Sequence, residues 1–166
     1  MNVTTHMHRL KKARTDPRQH AETPQRLFDA LHARCNFTVD AAASEANHKL
    51  TAWFGPGGMA PDFLSVEWRH HRVFLNPPFA LSNAAIGKAC EEWQRSRVPS
   101  VLLLPAKTAG PAMCVAVQEG GSLGVLPKRV QYVPAPGVVF STANRDTMIL
   151  TFGFGFDRLF VWREGV

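Results

Sequence analysis

The sequence predicts an α/β fold on an open, mostly parallel sheet with an antiparallel finish, and three observations carry that expectation. Short β-prone runs alternate with segments of helical apolar spacing through most of the chain. The remaining C-terminal part is rich in β-branched and aromatic residues broken by Gly and Pro. Two β-prone runs, Phe37-Thr38-Val39 and Arg72-Val73-Phe74-Leu75, end directly in a polar residue, Asp40 and Asn76. Ligands of such sheets bind beyond the carboxyl ends of the strands, so these two residues are expected to share a site.

Residues 1–20 carry Arg9, Lys11, Lys12, Arg14 and Arg18 against one acid, Asp16, with no apolar periodicity. They read as a flexible basic arm, and residues 21–166 as one folded domain. Thr23 can cap a helix, Pro24 suits its first position, and Leu27, Phe28 and Leu31 recur at helical spacing to about Arg34. After the strands ending at Asp40 and Asn76, Ser82 or Asn83 opens a helix with the apolar stripe Ile86, Ala89, Cys90 and Trp93. Pro99 resets the chain, and Val101-Leu102-Leu103-Leu104 reads as a buried strand that completes a strand-helix-strand unit. A weaker helix covers Ala112 to Gln118. Four further β-prone runs follow: Gly124 to Leu126, Val130 to Val133, Val138 to Phe140 and Thr147 to Phe152.

A chain of 166 residues with 45% hydrophobic content supports one core and is short for two. No apolar run approaches the roughly 20 residues of a membrane span, and the first residues lack the apolar centre of a secretory signal, so a cytoplasmic setting is expected. Cys35, Cys90 and Cys114 are odd in number and without metal-ligand spacing. They read as reduced core thiols, with neither a disulfide framework nor a metal site. The net charge of +6 and pI near 9.7 favour a polyanionic partner, for which nucleic acid is the natural candidate.

The richest chemical signal is Asn76-Pro77-Pro78-Phe79 placed directly after a hydrophobic strand. Two prolines fix an extended turn and withhold their N–H groups, so the Asn76 side-chain oxygen and the Pro77 carbonyl can converge as acceptors. A nucleobase amine that donates both hydrogens to such a corner becomes pyramidal and can attack a methyl group, while Phe79 stacks on the base. The competing reading is an ordinary strand-to-loop turn with a buried Phe. No cysteine follows a motif suited to attack on a base carbon, which argues against carbon methylation of cytosine. His70 and His71 read as exposed residues or phosphate contacts rather than as a general base.

From Thr23 to Phe152 the chain resembles the amino-methyltransferases of DNA, whose motif is Asn/Asp-Pro-Pro-Tyr/Phe. It resembles most the small phage-type DNA adenine methyltransferases, which are Dam-like. The resemblance implies a compact Rossmann-like class I fold that depends on S-adenosylmethionine as cofactor. The activity implied is methylation of the N6 amine of adenine in DNA. Asn76, Pro77, Pro78 and Phe79 would be its catalytic residues. Glu22-Thr23-Pro24 looks like the segment beside the methionine part of the cofactor. Asp40, followed by Ala41-Ala42-Ala43, looks like the acidic turn after the first strand, and Asp62-Phe63 like the pair at the cofactor adenine. Thr23, Pro24, Asp40, Ala41, Asp62, Phe63 and Asn76 are therefore the expected cofactor-binding residues. Physical chemistry leaves alternatives open: Thr23-Pro24 as a helix start, Asp40 as a loop cap, Asp62 as a turn cap with Phe63 in the core, and Glu67 as a rival acid for the ribose.

Lys107, Arg72, Lys11 and Lys12 are the basic residues expected at DNA phosphates; Lys107 stands where phage relatives usually carry Arg. The usual Gly-x-Gly after the first strand is replaced by alanines, and no inserted target-recognition domain is evident, which favours backbone contacts over base-edge readout. A homodimer is compatible with the sequence. Two further readings are carried forward: methylation of the cytosine N4 amine or a glutamine amide, and a non-catalytic DNA-binding module that retains the fold.

Overall fold

A computed structural model describes residues 21–106, 110–134 and 144–163. Helix α1 spans Gln25–Cys35, strand β1 Val39–Asp40 and β2 Val73–Leu75. A 3-10 turn, Phe79–Leu81, runs into α2, Ser82–Ser96, followed by β3, Ser100–Pro105, and α3, Pro111–Gln118. The remaining strands are β4 (Ser122–Val125), β5 (Val130–Gln131), β6 (Asn144–Arg145), β7 (Thr147–Phe152) and β8 (Leu159–Val161).

Six strands form the main sheet in the order β1-β2-β3-β7-β4-β8, and β5 pairs with β6. β1, β2 and β3 are parallel, β7 is antiparallel to β3 and β4, and β8 is parallel to β4. This is the expected α/β sheet with an antiparallel finish. Alternation along the strands divides the core. Val73 and Leu75 of β2, Leu102 and Leu104 of β3 and Leu150 and Phe152 of β7 pack with Ile86 and Ala89 of α2 on one face. Phe74, Val101, Leu103 and Ile149 pack with Leu27, Phe28 and Leu31 of α1 on the other. Periodic burial on both faces explains why β2 and β3 read as continuous hydrophobic runs.

The sequence differs from the structure at several places. Pro24 occupies the cap position of α1 with extended dihedrals, and no side chain caps the helix. The reason lies two residues earlier: Glu22 pairs with Val133 through two backbone bonds, N–H to O at 2.8 and 3.0 Å, which keeps the chain extended into the helix. Strand β8 was not among the expected β-prone runs. The expected Val138 to Phe140 run lies outside the described residues, as do residues 1–20. Cys35 and Cys90 are buried, as expected of core thiols, and burial pushes their thiols up to about 12 and about 11. Cys114 is exposed on α3 and is not a core residue.

Residues 41–72 link β1 to β2 without a helix. This excursion covers the outer edge of β1: Asp40 N–H donates to Ala52 O at 3.0 Å and Phe54 N–H to Asp40 O at 2.9 Å. It closes at Gly55, whose φ of +147° and place 1.8 Å, measured from an imagined Cβ, to the Ala43 carbonyl admit no side chain. The turn after β1 is therefore held from both sides.

Candidate active site

Register decides what lies at the carboxyl edge. Asp40 pairs with Phe74 and Leu75 with Leu102, so the ends of β1 and β2 lie side by side with Asp40 and Asn76 beyond neighbouring strands. Both residues border one cleft, whose walls also include Thr23, Ala42, Phe74 and Pro78. The two polar strand ends singled out in the sequence are thus brought together.

Asn76 is half-buried, and its amide Nδ2 donates to Ala21 O at 3.1 Å. That bond orients the amide and leaves Oδ1 as the acceptor. Pro78 O accepts from Leu81 N–H at 2.8 Å as the 3-10 turn begins, whereas Pro77 O accepts no hydrogen bond among the described residues. The double proline therefore commits one carbonyl to the fold and keeps the other available. Phe79 lies edge-on to Tyr132, with ring centroids 6.5 Å apart, and Tyr132 OH is hydrogen-bonded to Thr147 Oγ1 at 3.2 Å. Thr147 pairs with Pro105 at the carboxyl end of β3, so the aromatic ring is braced from the same sheet edge.

Asp40 is 4% exposed. Its Oδ2 accepts the backbone N–H of Lys49 at 3.0 Å. Burial raises its pKa from 3.8 to about 6, against the opposing effect of N–H groups of Lys49 and Ala42 and of the charges on Lys49 and His48. A carboxylate held there gains from a cationic ligand. Asn47 and Lys49 also face the cleft, although the sequence reading assigned neither. Asn47 Oδ1 accepts from Ser44 N–H at 2.8 Å and Ser44 Oγ at 3.0 Å, which leaves its NH2 as donor. Lys49 Nζ is 3.7 Å from Glu22 Oε2 in the same space. Nothing in the spacing of Asn47 and Lys49 announces a site; the fold of the excursion places them beside Glu22.

Other expected residues sit elsewhere. Asp62 Oδ1 accepts from Leu64 N–H and Ser65 N–H, both at 2.9 Å, and caps its own turn. Phe63 is 3% exposed in the core, and its carbonyl accepts Trp68 Nε1–H. Neither is among the residues that border this cleft, and Asp62 caps its own turn here. Glu67 makes exposed ion pairs with Arg69 and Arg95 rather than facing the cleft. Arg72 lies at the amino end of β2, away from the site. Its Nε donates to Cys35 O and Asn36 O at the end of α1, and its guanidinium covers Phe154 at 4.8 Å. Arg72 thus has a structural occupation that its charge did not disclose. Desolvation lowers the His71 pKa, with help from His70. Ala41 is fully buried behind the turn. Lys11, Lys12 and Lys107 lie outside the described residues.

A family model for DNA N-6-adenine-methyltransferase (Dam) matches residues 10–156. The chain belongs to this family. Its mixed sheet, with β7 running against β3 and β4, is consistent with the methyltransferase fold of the Dam family. No curated protein matches the chain. The family is one of adenine-specific DNA methyltransferases, which implies DNA as substrate and a methyl donor as co-substrate. Among the described residues no helix is long and apolar enough to cross a membrane.

The cleft residues fit S-adenosylmethionine in their chemistry: buried Asp40 and nearby Glu22 suit an ammonium, and Asn47 and Lys49 offer donors for its polar groups. The space itself is narrow, about 40 Å³, room for a few waters at about 10–15 Å³ each. A ligand of nucleoside size therefore requires its walls, formed by residues 21–23 and 47–49, to part.

Proposed function

We propose that this chain transfers a methyl group from S-adenosylmethionine to the N6 amine of adenine in DNA, with Asn76-Pro77-Pro78-Phe79 as the catalytic segment. The observation that carries the reading is the pair of oxygens after β2: Asn76 Oδ1, freed by the bond from Nδ2 to Ala21 O, and Pro77 O, without a donor among the described residues. Two acceptors on a rigid turn match an amine's two hydrogens and favour the geometry in which its lone pair is localised. Phe79, braced by Tyr132, offers an aromatic surface to a base drawn out of the stack. When bound, S-adenosylmethionine supplies the activated methyl group. Asp40 would hold its ammonium and Thr23 would shape the surrounding wall, whereas Pro24 borders the neighbouring groove and Ala41 is buried behind the turn. The basic residues Lys11, Lys12 and Lys107 would meet DNA phosphates outside the site.

Purified protein incubated with DNA and methyl-labelled S-adenosylmethionine, followed by nucleoside analysis, tests this reading. Label is expected in N6-methyladenine. Label in N4-methylcytosine would move the substrate to the other exocyclic amine, and label in protein alone would overturn the proposal. A non-catalytic module predicts no label and no heat on titration with S-adenosylmethionine.

A further inference from the structure

A second, larger depression of about 660 Å³ opens between the start of α1, the turn before β5 and the end of β8. Four cationic side chains line it, Arg26, Lys128, Arg129 and Arg163, and no acid is among its described lining residues. Arg129 is held by Asp146, with Nε–Oδ1 at 2.9 Å and Nη2–Oδ2 at 3.3 Å, and all four residues are exposed. Trp162 forms part of the floor. It is 8% exposed, and its indole Nε1–H is buried without a hydrogen-bond acceptor. The groove therefore presents a field of positive charge with no acid among its described lining residues. A polyanion matches that field.

The groove adjoins the catalytic cleft. The cleft wall ends at Thr23 and the groove wall begins at Pro24. On the other side Val130 and Gln131 line the groove, and the next residue, Tyr132, meets Phe79. One residue of extended chain advances about 3.4 Å, about one step of the 3.4 Å axial phosphate rise along one DNA strand. We infer that this groove binds the phosphodiester backbone of the DNA substrate next to the target nucleotide, with Lys128 and Arg163 as phosphate contacts. The inference rests on DNA being the substrate and adds where the duplex is gripped.

Anisotropy of a fluorescein-labelled DNA duplex, titrated with the full chain between about 50 and 200 mM salt, tests the groove, because each phosphate contact contributes about 0.9 to the slope of log K against log salt. The Lys128→Gln/Arg163→Gln variant is expected to lower that slope by roughly 2, and Lys128→Gln alone by roughly 1. Arg69→Gln/Arg95→Gln removes the same charge at residues that pair with Glu67 and line neither the cleft nor the groove, and is expected to leave the slope unchanged. An unchanged slope in the groove variants, or an equal fall in the control, overturns the proposal. All substituted side chains are exposed, so the melting transition should stay at the wild-type position. Groove-dependent binding without methyl transfer would uphold the groove and sink the enzymatic reading; methyl transfer with a slope indifferent to the groove would do the reverse.

Discussion

Asp40 and Asp62 resemble each other in sequence, each an acid beside apolar residues and each expected to hold part of a cofactor, yet the structure gives them different occupations. Asp40 ends a strand between two neighbours, is fixed by the Val39–Val73 and Asp40–Phe74 register, and faces a cleft from a buried position. Asp62 lies in the excursion between β1 and β2 and closes a turn on Leu64 and Ser65. The sheet imposes direction on the first; nothing beyond the local backbone directs the second. A polar residue at the end of a buried strand is therefore a stronger functional signal than the same residue in a loop, where backbone N–H groups compete for its oxygens.

The contrast can be tested through its consequences. The largest effect is expected at the other strand end. Asn76→Ala removes one of two acceptors and should slow single-turnover methylation by about 10²–10³, while the melting temperature changes little, because only the single bond to Ala21 is lost. A rate within a few-fold of wild type would show that the strand-end oxygen is not part of the chemistry.

The second effect concerns pH. Asp40 has a folded-state pKa of about 6, raised from 3.8. A raised carboxyl pKa favours the protonated folded state, so its relative stabilisation is complete below about 4 and is lost as pH rises through about 6. The shift corresponds to a contribution on the order of 3 kcal/mol. Asp40→Asn should flatten that part of the stability profile in urea melts taken at pH 4 to 8. A profile unchanged by the substitution would place the charge penalty elsewhere.

Smaller effects belong to the excursion. Asp62→Ala should lower unfolding stability by about 1 kcal/mol through loss of its turn cap, with S-adenosylmethionine affinity kept within a few-fold. Glu67→Gln breaks two exposed ion pairs and should change stability by less than about 1 kcal/mol. A large loss of cofactor affinity in either variant would restore the excursion to the binding site.

Much of the fold could be read from the chain because its strands are buried on both faces and its helices carry single apolar stripes. Thr147 to Phe152 was legible from composition alone and is β7 to the residue. β8 was not, since Leu159 and Val161 are exposed on an edge strand and lack a buried pattern. At the site, Asn76 and Asp40 were legible because strand ends have a fixed address. Asn47 and Lys49 were not, because the excursion that brings them to the cleft has no periodicity, and its path depends on tertiary bonds such as Ala43 N–H to Phe54 O. Arg72 shows the converse: charge suggested a phosphate, and geometry assigned it to the carbonyls ending α1.

The contrast between the two acids is tested most directly by calorimetric titration of S-adenosylmethionine into Asp40→Asn and Asp62→Asn side by side at pH 8. Loss of detectable binding in the first with near wild-type affinity in the second is the predicted result. Retained affinity in Asp40→Asn, with loss in Asp62→Asn, would contradict the assignment of the ligand to the strand ends.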